Sequence, residues 1–126
     1  MSKVAELELV LRPMGAGVYA VDLISSPADS DSDQRLSAKA SIDAAALRTN
    51  LSAEAYGRAL GQALFADEGL RNGFERSRIL AQGAGAKLRI RLWIDAAAPE
   101  LHSLRWETLR DPSGTELLNS PDIWFS

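Results

Sequence analysis

A change of hydrophobic period partway along the chain constrains its fold more than any other feature. Residues 4–12 alternate, with Ala5, Leu7, Leu9 and Leu11 on one side and Glu6 and Glu8 on the other. That is the period of two of a half-buried strand. Pro13-Met14-Gly15-Ala16-Gly17 supplies turn chemistry, and residues 18–24 resume as a second strand, which predicts a hairpin. Leu36, Ala38, Ala40 and Ile42 then alternate with Arg35, Ser37, Lys39 and Ser41, a third strand with one wet face. Leu88, Ile90, Leu92 and Ile94, opposed by Arg89, Arg91 and Trp93, form a fourth.

Between the third and fourth strands the pattern turns helical. Asp43 is placed to cap a short turn over residues 44–48. Ser52 is an N-cap with Glu54 in the favourable first turn, and Tyr56, Ala59, Leu60, Ala63 and Leu64 share one helical face. Asp67 caps a further helix from Glu68 to about Gln82, with Leu70, Phe74, Ser77 and Ala81 facing inward. Gly69 and Gly73 oppose it, each costing about 1 kcal/mol relative to alanine in a helix interior. Gly83-Ala84-Gly85 ends it. The expected class is α+β: an antiparallel β-meander of about four to five strands packed with two to three helices, in a single domain over residues 1–126. Whether the fourth strand joins the meander or a separate sheet is open at this level.

Composition narrows the function classes. At 126 residues, 46% hydrophobic and 25% charged, the chain can bury a core without metal or disulfide staples. A formal charge of −3 gives no electrostatic reason to expect nucleic acid or an anionic membrane as partner. The absence of cysteine removes disulfides, thiolate metal sites and a cysteine nucleophile from these residues. Met1-Ser2-Lys3-Val4-Ala5-Glu6 meets an acid too soon for a secretory signal, and no apolar run reaches membrane-spanning length. A cytoplasmic protein without cofactor is expected.

Several local patterns invite chemistry and fail its requirements. Asp29-Ser30-Asp31-Ser32-Asp33 has the alternating acids of a calcium loop, but Gln34 and Ala40 stand where glycine and glutamate are needed. Gly83-Ala84-Gly85-Ala86-Lys87 follows a helix and opens a strand, the reverse of a phosphate cradle. Asn50-Leu51-Ser52 matches a glycosylation sequon, yet Ser52 is better used as a helix cap. His102, the only histidine, has no nucleophile elbow or sequence-local orienting group and reads as a surface residue on a short helix after Pro99. No catalytic, cofactor-binding or metal-ligating residue is therefore assigned, and the chain is not expected to be an enzyme by itself.

Aromatic residues make the better candidates. Arg89, Arg91 and Trp93 share a strand face with many acids following it, which predicts an ion-paired face covered by another element. Trp106, bracketed by Leu104 and Leu109, reads as a core anchor, with Glu107 placed to accept from a buried arginine or a backbone N–H. A last apolar run, Ile123-Trp124-Phe125, reads as a strand, and aromatics so close to Ser126 suggest a larger fold cut mid-element. Trp93, Trp106, Glu107, Trp124 and Phe125 are the candidate structural or interface residues.

The strand Leu88-Arg89-Ile90-Arg91-Leu92-Trp93-Ile94-Asp95 leads into Pro99-Glu100-Leu101-His102-Ser103-Leu104-Arg105-Trp106-Glu107-Thr108-Leu109-Arg110-Asp111-Pro112. With the closing Ile123-Trp124-Phe125-Ser126, this order resembles the start of bacterial CHAT-domain proteins, relatives of caspases and separases. Residues 55–65 are similar to the helix that precedes the run in such proteins. The specific likeness covers about a quarter of the chain. It implies that a catalytic His and Cys would lie further along, so none carries over to these residues. The expectation is a non-catalytic N-terminal scaffold or interaction lobe, with a downstream caspase-like domain or another protein as partner. The alternative is a stand-alone interaction module that self-associates by adding strands at an open sheet edge.

Overall fold

The computed structural model describes residues 3–27, 33–47, 52–110 and 123–125. The alternating runs are strands: β1 (Lys3–Gly15), β2 (Val18–Ser26), β3 (Gln34–Ser41) and β4 (Ala86–Ile94). The backbone of Ile123–Phe125 adds β5, which pairs parallel to β4. The sheet order is β3-β2-β1-β4-β5. Between β3 and β4 lie α1 (Ala44–Leu47), α2 (Ala53–Leu64) and α3 (Glu68–Gly83), and α4 (Pro99–His102) follows β4. The class is α+β, as expected.

β1 and β2 form the predicted hairpin, paired from Glu6↔Ser26 to Gly15↔Val18 with an irregularity between Pro13 and Gly15. The turn needs left-handed backbone at three successive positions, with Gly15 at φ +103°, Ala16 at +54° and Gly17 at +77°. Glycine holds the two most extreme values, where a side chain would clash. β3 adds antiparallel to β2 in the register Tyr19↔Ala40, Val21↔Ala38, Leu23↔Leu36.

The antiparallel meander stops there. β4 lies beside β1 and runs parallel to it, in the register Ala5↔Leu88, Leu7↔Ile90, Leu9↔Leu92. The sheet is therefore mixed. The reason is the helical segment: α1–α3 carry the chain back along one face of the sheet, so β4 re-enters at the end where β1 began.

Local signals place the helices as read. Asp43 Oδ1 accepts from the Ala46 N–H at 3.1 Å, Ser52 Oγ from the Ala55 N–H at 3.1 Å, and Asp67 Oδ2 from the Leu70 N–H at 2.9 Å. α3 buries Leu70, Phe74, Ser77 and Ala81, the four positions expected, despite its glycines. One of those glycines has a use: a Cβ on Gly73 would come within 2.9 Å of both Leu23 and Leu36, so its absence lets α3 approach the sheet.

The core lies between the sheet and the helices. Leu7, Leu9, Leu11, Val21 and Ile90 are fully buried from the sheet side, and Leu60, Leu64, Leu70 and Phe74 from the helix side. Phe65, at the end of α2, meets Phe74 of α3 with ring centroids 4.9 Å apart in a tilted arrangement.

Candidate functional site

Residues 99–110, after β4, fold back onto α2 and are held by internal hydrogen bonds. Trp106 opens a short 3₁₀ turn, Trp106–Thr108, is buried between Leu104 and Leu109, and donates from Nε1 to the Leu101 carbonyl at 2.8 Å. The Arg105 N–H donates to the Tyr56 hydroxyl at 2.9 Å, and the Arg105 guanidinium lies 5.4 Å from the Tyr56 ring centre. Ser103 and Thr108 hydroxyls donate to the carbonyls of Glu100 and Arg105. The backbone of Thr108 and Arg110 fits against Gly57 and Gly61 of α2, where a Cβ would stand 1.8 Å and 2.5 Å from the respective carbonyl oxygens.

Tyr19 of β2 ties this segment to the sheet, its hydroxyl donating to Glu100 Oε1 at 2.6 Å. Its pKa is pushed up to about 12, first by burial, then by the hydrogen bond to Glu100 and that carboxylate's charge, all of which favour the neutral phenol.

The sequence candidates separate on inspection. Trp106 is the core anchor expected. Glu107 is exposed and faces Arg105 at 3.8 Å, so in place of the buried arginine or backbone N–H expected for it stands a half-exposed arginine two residues before it. Trp93 is 51% exposed on the sheet face opposite the helices. The backbone of Trp124 and Phe125 is in β5, and their side chains lie outside the described residues. The calcium-loop positions 29–32 and the sequon residues Asn50 and Leu51 also lie outside them.

The face carrying Trp93 differs from expectation in its cover and its partners. Among the described residues all three helices between β3 and β4 pack on the other side, so this face is open. Among the described residues, the ion pair of Arg89 is at 3.9 Å with Glu6 of the neighbouring strand. Register sets the face out in rows: Arg91, Glu8, Ile24 and Arg35, then Trp93, Val10, Asp22 and Ser37. A shallow concavity of about 370 Å³ lies over Val10 and Ile24 with Trp93 at its wall. Asp22, which the sequence reading passed over, is buried there; its carboxylate accepts from Arg12 and, at 2.8 Å, from Ser37. The only sequence signal for it was an acid at a strand position opposite the polar residues of β3.

A deeper cleft lies on the helix side, between α3 and the ends of β2 and β3. It encloses about 350 Å³ against Leu23, Leu36, Gly73 and Leu80, with Asn72 and Arg76 at its rim. A second cavity of about 130 Å³, lined largely by Ala5, Leu80, Ala81, Ala84 and Leu88, shares Ser25, Pro27, Ser77 and Leu80 with the first.

His102 is exposed at the end of α4. Among the described residues no group of three His, Cys, Asp or Glu is placed to hold a metal ion, and no helix is long and apolar enough to cross a membrane. Comparison with protein-family models, with curated proteins and with solved structures yields no match.

Proposed function

We propose that this chain is a non-catalytic scaffold and interaction lobe, the N-terminal part of a caspase-like protein of the CHAT class. The observation that carries the reading is how the segment bearing the resemblance is built. Its tryptophan, its tyrosine partner and its hydroxyls make internal hydrogen bonds, and its backbone is seated on Gly57 and Gly61. Groups already used to hold a loop in place are poor candidates for acid–base or nucleophilic work. The open sheet face supports the interaction part of the reading. Half-exposed Trp93 beside Val10 and Ile24, rimmed by charged residues, has the aromatic centre and polar edge of a recognition surface.

The test is the encoding reading frame together with a binding measurement. A caspase-like segment with its His and Cys following in the same frame, bound in trans by residues 1–126 and released by Trp93→Ala, supports the proposal. A frame without such a segment overturns it.

A second reading, self-association through a sheet edge, is favoured by the position of β3 at the margin of the sheet. Sedimentation over a concentration series separates the two, since a monomer at all concentrations removes the second reading.

A further inference from the structure

We infer that the cleft between α3 and the sheet binds a small amphipathic anion: a carboxylate head on a short unbranched hydrocarbon arm. The two cavities there are contiguous and differ in chemistry. The inner one is walled by small and apolar side chains, with Ala81 and Leu88 buried, and measures about 130 Å³. A dry apolar cavity of about 150 Å³ takes a benzene-sized guest, so the inner space suits a short hydrocarbon arm and little more. The outer one, of about 350 Å³, falls in the size range of small-molecule sites and opens beside the exposed Arg76 of α3.

Three details set the polarity of the ligand. Leu80 lines both cavities and is 52% exposed, an apolar side chain at the mouth that a hydrocarbon arm would cover. Arg76 makes no ion pair among the described residues, and a guanidinium favours a carboxylate through paired N–H donors. At the junction, the Ser77 hydroxyl donates to the Gly73 carbonyl at 3.0 Å, so the Ser25 hydroxyl, 3.0 Å away, is the donor to Ser77. Both hydroxyl protons are thereby used internally, and only lone pairs are left to face a guest. An anionic head is turned away from the junction and held at Arg76, with the arm directed inward.

The measurement is an amide NMR titration of the chain with sodium octanoate, with octylammonium and acetate as parallel arms. Saturable shifts at Ser25, Gly73, Ser77 and Leu80, with octanoate bound at least about tenfold more tightly than either control, are expected from a charge-assisted contact plus apolar burial. Arg76→Gln, an exposed substitution that keeps helix propensity, should weaken octanoate by about fivefold with an unchanged spectrum elsewhere. Ala84→Leu, which narrows the inner cavity from a half-buried position, should weaken octanoate and leave acetate as it was. Octylammonium binding as well as octanoate overturns the assignment of the head. Shifts confined to other parts of the fold, or no saturation below the micellar range of octanoate, overturn the site.

Discussion

Gly57 of α2 sits directly against the carbonyl of Thr108: a Cβ built there would lie 1.8 Å from the Thr108 oxygen and 2.8 Å from its carbon. The contact is with backbone, which cannot rotate away as a side chain end would. In an isolated helix alanine is preferred to glycine by about 1 kcal/mol, so tertiary contact and helix propensity oppose each other here. Gly57→Ala is expected to destabilise by about 1–3 kcal/mol, the range for overpacking. Gly83, with nothing within 4 Å of its would-be Cβ, is the control. Gly83→Ala should be neutral or mildly stabilising in the same urea denaturation series.

The tryptophans, alike in sequence, should separate sharply. Trp106→Phe removes the Nε1 donor and leaves the Leu101 carbonyl with backbone donors alone, the Leu104 N–H at 3.3 Å among them, an expected loss of about 1–2 kcal/mol from the lost bond and the smaller ring. Trp93→Ala removes a half-exposed ring from the open face and should change stability by no more than about 0.5 kcal/mol. Equal losses at both positions would contradict the placement of Trp93.

Tyr19 makes a prediction about alkaline pH. Its folded pKa is raised to about 12 while an unfolded tyrosine titrates near 10, so the folded state holds this proton more tightly. The associated stability is complete below about pH 10 and is lost as pH rises towards 12. Comparison of the wild type with Tyr19→Phe in denaturation curves across that range isolates the effect. The wild type should lose stability faster than the variant, and its phenolate absorbance should include one late-titrating group.

Helix caps offer the smallest and most local changes. Ser52→Ala and Asp67→Ala each remove the side-chain acceptor of a first-turn N–H and should cost about 1 kcal/mol. Because the two caps lie at different helices, the double variant should show near-additive losses by thermal denaturation.

His102 is exposed at the end of α4. His102→Ala should leave stability within about 0.5 kcal/mol of wild type, as for other surface substitutions.

How much of this was legible in the sequence follows from the range of each interaction. Strand alternation and the caps at Asp43, Ser52 and Asp67 rest on neighbours a few residues apart, and all appear as read. The inward positions Leu70, Phe74, Ser77 and Ala81 follow from helical period alone and are buried. The candidate surface was only half legible: Trp93 was on a recognisable strand face, but whether another element covers a face is not a local property.

By itself, then, the sequence determined the α+β class, the elements and most of their ends, because hydrophobic period and capping chemistry act over one or two turns. Tertiary structure alone decided the parallel entry of β4 beside β1, the burial of Asp22 between Arg12 and Ser37, the use of Gly57 as a seat for Thr108, and the cleft under α3. Each of these depends on residues brought together from separate elements, and no spacing rule carries that information. The physical difference is one of reach. Propensity is set by a residue and its chain neighbours, whereas close approach, burial and shape are set by whatever the fold places opposite.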